Sequence, residues 1–194
     1  YNPKTPMSLD VNVLSELYGR SNYDNTGDID VWGDDQVYTL RSSNSYEAFV
    51  DYNGISWINL ELADRGWIVN LTDPSSQYGW GQEIDRSLPK AQYVDLMGNF
   101  NYAVGSRYND SINGTIAKNI IQGEAGNDII RGNGGGDEIN GGYGSDTLLF
   151  SEDVSEFKIF NLNRGQNSFT LWKNNELHTS AENKNAAISI QEGG

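Results

Sequence analysis

The stretch GSRYNDSINGTIAKNIIQGEAGNDIIRGNGGGDEINGGYGSDTLL, residues 105–149, divides without a gap into five nonapeptides. Glycine opens every unit, at Gly105, Gly114, Gly123, Gly132 and Gly141. A carboxylate or its amide fills the sixth position, in Asp110, Asn119, Asp128, Asp137 and Asp146. An aliphatic side chain fills the eighth, in Ile112, Ile121, Ile130, Ile139 and Leu148. Three fixed columns through five units indicate a repeat architecture, in which each unit stacks on its neighbours.

Each column has a physical role. Glycine allows a positive φ in a tight turn and a close approach of the backbone to an ion. Aspartate supplies hard anionic oxygens, the ligands that Ca²⁺ prefers. The aliphatic residue points inward from a very short strand, so that two repeats make one coil around a thin apolar core. Because such a core is too small to hold alone, ions must offset the repulsion between stacked carboxylates, and their binding free energy becomes folding free energy.

The columns follow G-G-x-G-x-D-x-U-x, the pattern of calcium-binding repeats that wind into a parallel β-roll, and they resemble the RTX family. Two nonapeptides make one coil, so turns on the same side lie eighteen residues apart. Ions should therefore lie between alternate repeats. The expected side-chain pairs are Asp110 with Asp128, Asn119 with Asp137, and Asp128 with Asp146.

In the RTX family most other ligands are backbone carbonyls, and the resemblance transfers them by position. The first site would use the carbonyls of Ser106, Tyr108, Gly123 and Ala125. The second would use those of Thr115, Ala117, Gly132 and Gly134, and the third those of Glu124, Gly126, Gly141 and Tyr143. A fourth could use Asn133, Gly135 and Asp137, with its other half in residues 150–153. The expectation is about three to four Ca²⁺ ions, with the second site the weakest of the first three because Asn119 is neutral.

Composition agrees with a metal-binding chain. The 194 residues carry 13 basic and 27 acidic side chains, a net charge of −14 that opposes compaction. This charge implies a metal or a basic partner and argues against nucleic acid. The absence of cysteine excludes disulfides and Cys-ligated zinc, which in a secreted protein leaves calcium as the staple. No apolar run approaches the ~20 residues of a membrane span.

The predicted fold class is all-β, a parallel β-roll (a β-solenoid) of nonapeptide repeats with flanking antiparallel strands and one N-terminal helix. Residues 1–104 would carry the helix, at 7–18, and strands that lead into the roll. Residues 105–149 would form the roll. Residues 150–194 would cap its open end with strands at 157–161, 168–173 and 187–190, since a solenoid needs a cap to stay soluble. His178 is expected on the surface of this terminal hairpin.

The wording YNPKTPMSLDVNVLSELYGRSNYDNTGD, residues 1–28, closely resembles the join between the protease domain and the β-roll in serralysin-type secreted metalloproteases. Residues 50–54, a strand pair at 57–60 and 67–71, and residues 93–105 also resemble that family, so the resemblance covers roughly residues 1–150. The family's additional calcium beside residues 25–29 is doubtful here, because its second half at residues 43–48 lacks the expected aspartates.

The resemblance implies a secreted, extracellular bacterial protein. Its roll would pass the type I secretion machinery unfolded, fold on calcium outside the cell and stabilise an upstream catalytic domain. A zinc protease of this class needs an HExxH motif. This chain has one histidine, His178, so we expect these residues to be a non-catalytic part of the enzyme.

The alternative function is an extracellular glycan-binding or surface-binding module that uses the roll as a scaffold. Four tryptophans, Trp32, Trp57, Trp67 and Trp80, precede the roll. Most should pack in the core of the flank, but some could form an exposed platform that stacks on a polysaccharide. Loss of binding on mutation of Trp57 or Trp67 would favour this alternative.

Overall fold

The computed structural model describes residues 37–40, 46–76, 78–84, 93–150, 154–163, 168–173, 176–182 and 189–192. Apart from one 3-10 turn at Val154–Glu156, every regular element in these ranges is a strand. In chain order the strands are β1 Val37–Thr39, β2 Tyr46–Asn59, β3 Trp67–Asp73, β4 Tyr78–Glu83, β5 Tyr93–Val104, β6 Ser111–Asn113, β7 Ile120–Gln122, β8 Ile129–Arg131, β9 Asp137–Asn140, β10 Thr147–Phe150, β11 Lys158–Asn163, β12 Ser168–Lys173, β13 Glu176–Glu182 and β14 Ser189–Glu192. The all-β class is confirmed, and the predicted helix at residues 7–18 lies outside the described residues. Within those ranges no helix is long and apolar enough to cross a membrane.

The five repeats supply five short strands that stack in parallel into two walls. Strands β6, β8 and β10, from the first, third and fifth repeats, form what we call the odd wall. Strands β7 and β9, from the second and fourth repeats, belong to the even wall. Ile112 pairs with Ile130, and Ile121 with Ile139, as two-repeat coils require. This curled sheet fits the predicted parallel β-roll.

Two columns of inward-pointing side chains, one from each wall, run through the core. On the odd wall the column is Val69, Ile112, Ile130 and Leu148. On the even wall it is Tyr38, Ile58, Ala103, Ile121, Ile139 and Ala181. All of these residues are buried, and their neighbours along each strand point outward because side chains alternate in a strand. The eighth position of each repeat therefore builds the core, as predicted.

An antiparallel hairpin joins the two walls at the start of the roll. Strand β4 lies between β3, which continues the odd wall through β6, and β5, which continues the even wall through β7. Beyond β5 the even wall extends in parallel through β2 to β1. The flanking strands are thus mixed, and only part of them is antiparallel as expected.

The expected strand pair of residues 57–60 and 67–71 is wrong, although both segments are strands. The turn between them carries the chain from the even wall to the odd wall, so β2 pairs with β5 while β3 pairs with β4 and β6. The Leu60 N–H donates to the Val104 carbonyl at 2.9 Å, as the Gly105 N–H donates to the Gln122 carbonyl at 2.7 Å in the roll. A coil is therefore already present before the first nonapeptide.

Both walls continue beyond the last repeat. Strand β14 pairs in parallel with β10, and β13 pairs in parallel with β9 and then antiparallel with β12, which pairs with β11. The predicted strand at residues 157–161 is found at Lys158–Asn163, the one at 168–173 is confirmed, and the expected strand at 187–190 is found at Ser189–Glu192. Strand β13 was not predicted, because its buried residues are His178, Thr179 and Ala181 and show no apolar pattern.

The prediction that His178 lies on the surface is wrong. Its side chain is buried on β13, with ring centroids 4.7 Å from Phe157 and 5.6 Å from Phe150. Nδ1 lies 2.9 Å from the Thr179 hydroxyl. The imidazole packs there because β13 pairs with β9 from Thr179 onward, which places His178 at the end of the core.

Candidate metal sites along the roll

The sixth position of every repeat points inward at the edge of the roll. Its five side chains, Asp110, Asn119, Asp128, Asp137 and Asp146, are at most 2% exposed. Removing a carboxylate from water is costly unless hydrogen bonds or a counter-charge compensate it. Four buried carboxylates in stacked turns therefore need partners, and the turns supply only some of them.

One oxygen of each aspartate holds the coil before it. Oδ1 of Asp128 accepts a hydrogen bond from the Asp110 N–H at 2.8 Å. Oδ1 of Asp137 accepts from the Asn119 N–H at 2.9 Å, and Oδ1 of Asp146 from the Asp128 N–H at 2.8 Å. The structure therefore brings together the three pairs that the sequence predicts, with eighteen residues between the members of each pair.

Asp110, the first carboxylate of this series, accepts a hydrogen bond from the coil that precedes the repeats. Its Oδ1 accepts from the Trp67 N–H at 2.7 Å, and its Oδ2 accepts from the Ser106 N–H at 2.6 Å. The Ser106 hydroxyl lies 3.0 Å from the same Oδ2. This first carboxylate is therefore supported on both oxygens by the chain itself.

The second oxygen of the later carboxylates is different. Oδ2 of Asp128 and Oδ2 of Asp137 are buried, and neither accepts a hydrogen bond in the structure. Buried polar atoms are nearly always bonded, so such atoms require an explanation. A buried carboxylate oxygen that accepts no hydrogen bond can bind a cation instead.

The first glycine of each repeat leaves room beside these oxygens. A Cβ built at Gly105 would lie 2.8 Å from Asp110 Oδ2 and would also collide with the Gly123 carbonyl. A Cβ at Gly123 would meet Asp128 Oδ2 and would lie 2.5 Å from the Gly141 carbonyl oxygen. Real Cβ atoms essentially never come closer than 3.0 Å to such atoms, so only glycine fits.

The second site repeats this arrangement with an amide. A Cβ at Gly114 would meet Asn119 Oδ1 and would lie 2.7 Å from the Gly132 carbonyl oxygen. Each of the first three predicted sites thus has one side-chain oxygen and one predicted carbonyl ligand on either side of a glycine. The fourth does not, because the three atoms nearest to a Cβ at Gly132 all belong to Asp137.

Side chains alone would not hold an ion here. In the part of the chain that the structure describes, no three His, Cys, Asp or Glu side chains are grouped closely enough to do so. The carbonyl ligands must come from the turns, where all the predicted ones lie. Several already accept hydrogen bonds, as when the Glu124 carbonyl accepts from the Tyr143 N–H at 2.8 Å. A carbonyl has two lone pairs, so this does not prevent coordination, and the complete ligand sets stay predictions.

The second position of the third, fourth and fifth repeats adopts the left-handed conformation. Glu124 has φ 71°, Asn133 has φ 72°, and Gly142, at the same position of the fifth repeat, has φ 89°. Glycine takes this conformation freely, whereas other L-residues pay a steric cost. The second glycine of the repeat pattern is therefore a backbone requirement that the third and fourth repeats meet at a cost.

Asn119 uses its amide in a way that no aspartate can. Its Oδ1 accepts from the Thr115 N–H at 2.6 Å, and its Nδ2 donates to the Asn101 carbonyl at 2.9 Å. The amide thus bonds to the preceding coil as a donor, where the aspartates act as acceptors. The Asn119 half of the second site is thus satisfied by the protein, whereas Oδ2 of Asp137, its partner in that site, accepts no hydrogen bond. The weakness of the second site stays a prediction.

A second series of side-chain hydrogen bonds joins the first, third and fifth repeats and was not predicted from the sequence. Oδ1 of Asn109 accepts from the Asn127 N–H at 2.8 Å, and Oδ1 of Asn127 accepts from the Ser145 N–H at 2.9 Å. These residues occupy the fifth position of the first, third and fifth repeats. The signal was the column Asn, Asn, Ser, which appears only when odd and even repeats are compared separately.

Burial without a counter-charge raises the pKa values of the carboxylates. The pKa of Asp128 is raised to about 8, chiefly by desolvation and also by the charges of Asp110 and Asp146, against the lowering effect of the Asp110 N–H. Desolvation likewise raises the pKa of Asp137 to about 7 and that of Asp110 to about 6. Near neutral pH and without a cation, Asp128 therefore favours the protonated form and Asp137 is about half protonated. A bound divalent ion would favour the charged form of both.

The expected lower half of a fourth site lies almost entirely outside the described residues and stays a prediction. Phe150 ends β10, and residues 151–153 lie outside the described residues, as does the doubtful calcium position at residues 25–29. Strand β13 continues the even wall, and Thr179 pairs with Asp137. A neutral hydroxyl residue thus stands where another repeat would place a carboxylate.

The architecture and the buried oxygens define a calcium-binding β-roll. Comparison with protein families agrees, since residues 113–148 match the RTX calcium-binding nonapeptide repeat in four copies. This part of the chain therefore consists of RTX calcium-binding repeats, and the sequence pattern extends them by one unit towards the N-terminus. No curated protein matches the chain significantly. Proteins with these repeats are typically secreted.

Proposed function

We propose that the chain is the calcium-binding RTX domain of a secreted serralysin-like protease or related exoprotein, which folds on calcium outside the cell. The observation that carries this proposal is the pair of buried oxygens, Oδ2 of Asp128 and of Asp137, that accept no hydrogen bond. Folding that buries them is incomplete without a cation. The same property would keep the chain unfolded during type I export, where calcium is scarce.

The magnitudes suit such a switch. Extracellular calcium modules bind at about 10⁻⁴–10⁻³ M. A ligand at a hundredfold excess over its dissociation constant stabilises the folded state by about 2.7 kcal/mol, so three sites would add about 8 kcal/mol. This is comparable to the whole stability of a domain, about 5–15 kcal/mol.

The proposed role is non-catalytic. The sequence contains one histidine, which cannot form an HExxH motif, and that histidine packs between Phe150 and Phe157. In this proposal the catalytic centre of the parent protein lies on another part of the polypeptide. The roll would stabilise that part once calcium has folded it.

Limited proteolysis tests the switch directly. Trypsin has target bonds after Arg107, Lys118 and Arg131, all within the roll. We expect rapid cleavage at all three in EGTA and protection at all three in millimolar calcium, because the turns become fixed by the ions. Millimolar magnesium is the control and should protect little, since Mg²⁺ demands a different geometry. Equal cleavage rates with and without calcium would refute the proposal.

A further inference from the structure

The outer face of the even wall carries two rows of side chains that run across the strands. The aromatic row, one residue before the core column, is Val37, Trp57, Tyr102 and Ile120. The amide row, one residue after the core column, contains Asn59, Gln122 and Asn140, with Val104 between Asn59 and Gln122 and with Thr39 at its β1 end. Both rows point away from the core because side chains alternate along each strand.

The aromatic row is partly exposed. Val37 is 58% exposed, and Trp57, Tyr102 and Ile120 are half-buried. The rings of Trp57 and Tyr102 lie against each other, with centroids 4.8 Å apart. Contiguous apolar surface of this kind marks interaction sites more often than chance exposure does. Trp67, in contrast, is fully buried in the core and is not part of any exposed platform.

The amide row adds directed hydrogen-bonding groups. Asn59 is held in place by Glu61, whose N–H donates to Asn59 Oδ1 at 2.8 Å and whose Oε2 accepts from Asn59 Nδ2 at 3.0 Å. An amide NH₂ has two donors, so Asn59 can bond outward as well. Gln122 stands in register two strands further along.

We propose that this outer face binds an extended, neutral, β-linked polysaccharide. Adjacent strands lie about 4.8 Å apart, close to the length of one sugar residue, so a chain laid across the strands would meet a new side chain at each sugar. The aromatic row would stack on the apolar faces of the sugars. The amide row would bond to their hydroxyl groups.

Charge selects a neutral ligand. The chain carries a net charge of −14, which repels polyanions such as alginate or nucleic acid. Both rows are uncharged from β1 to β7, and Glu138, the next residue of the aromatic row, is paired with Lys118 at 2.6 Å. This function is separate from calcium binding, although calcium is needed to fold the wall.

Calorimetric titration with cellohexaose and chitohexaose in millimolar calcium tests the proposal. We expect at least one of these neutral oligosaccharides to bind, with no binding of alginate. Trp57→Ala and Gln122→Ala should each weaken binding about tenfold or more, equivalent to about 1.4 kcal/mol. The matched control is Trp80→Ala, because Trp80 stacks on Tyr93 on β4 and β5, outside the two rows. It should leave binding unchanged.

Circular dichroism of each variant during a calcium titration separates a loss of oligosaccharide binding from a loss of folding. The same calcium titration also tests the proposed calcium switch. Gln122→Ala provides a test even if Trp57→Ala fails to fold. Binding of neither neutral oligosaccharide, or equal loss in the Trp80 control, would overturn the proposal. Sedimentation that shows a dimer dispersed by Trp57→Ala, without glycan binding, would also overturn it and identify the face as a self-interface.

Discussion

Asp128 is the residue on which most of the calcium chemistry depends. It belongs to two predicted sites, since it pairs with Asp110 on one side and with Asp146 on the other. Desolvation and both neighbouring charges raise its pKa to about 8. Asn119 is its counterpart on the even side, where an amide that donates to the Asn101 carbonyl stands in place of a carboxylate.

Exchanging carboxylate and amide at positions 128 and 119 should change both calcium affinity and the stability of the metal-free fold, in opposite directions at the two positions. Asp128→Asn removes a charge from two sites, so we expect calcium affinity to fall about tenfold or more, or about 1.4 kcal/mol per lost factor of ten. The same variant should stabilise the metal-free fold, because an uncharged amide is cheaper to bury. Isothermal titration and metal-free unfolding measure the two effects.

Asn119→Asp is the matched reverse variant. It should strengthen the second site and destabilise the metal-free fold, because the donor to the Asn101 carbonyl is lost. An Asp128→Asn protein that binds calcium as the parent does would contradict the assignment of Asp128 as a shared ligand.

The raised pKa values predict how the metal-free fold responds to pH. The pKa values in the folded state are about 6 for Asp110, about 7 for Asp137 and about 8 for Asp128, against 3.8 for an aspartate in the unfolded chain. The metal-free folded state therefore binds more protons than the unfolded state across this range. Its stability is fully present below 3.8 and is lost as the pH rises through 6 to 8.

We expect the EDTA-treated protein to show more β-structure near pH 4.5 than near pH 8, while calcium affinity changes in the opposite direction. Far-UV circular dichroism measures both. Asp128→Asn should reduce the pH response, which separates this effect from the general loss of negative charge. A metal-free protein that is more folded near pH 8 would show that the buried carboxylates do not control it.

At the scale of the elements, the strands of the nonapeptide repeats could be predicted because each column of the repeat has one physical role. The glycine, aspartate and aliphatic columns gave β6 to β10, their two walls and the three carboxylate pairs. Strand β13 was not predictable from pattern, because its buried residues are polar or small and gain their place only by pairing with β9. The coil at residues 57–73 likewise lacks the glycine signature and was visible only from its partners.

His178 reports on this unpredicted strand. His178→Ala would remove ring contacts with Phe150 and Phe157 at the end of the core. We expect the calcium-loaded protein to lose about 1–3 kcal/mol, as buried truncations commonly do. Urea unfolding in saturating calcium measures the change.

Leu177→Ala is the matched control, since Leu177 is adjacent on β13 but exposed. Its effect should stay within about 0.5 kcal/mol. Equal effects of the two substitutions would mean that β13 does not seal the even wall in the way described.

At the scale of the whole molecule, the free energies that favour and oppose folding nearly balance. The sheet buries two narrow columns of aliphatic side chains, while a net charge of −14 and four inward-facing aspartates favour the open chain. In the proposed switch, divalent ions between the coils would shift that balance, because they would bind the folded turns and neutralise the carboxylates. The outer face of the even wall exists only once this balance favours the fold.

Far-UV circular dichroism during a calcium titration of EGTA-treated protein, with magnesium as the control, tests the central claim most directly. The account predicts a cooperative gain of β-structure at sub-millimolar to millimolar calcium that magnesium does not reproduce. A protein that is fully folded in EGTA near neutral pH, and that does not respond to calcium, would contradict it.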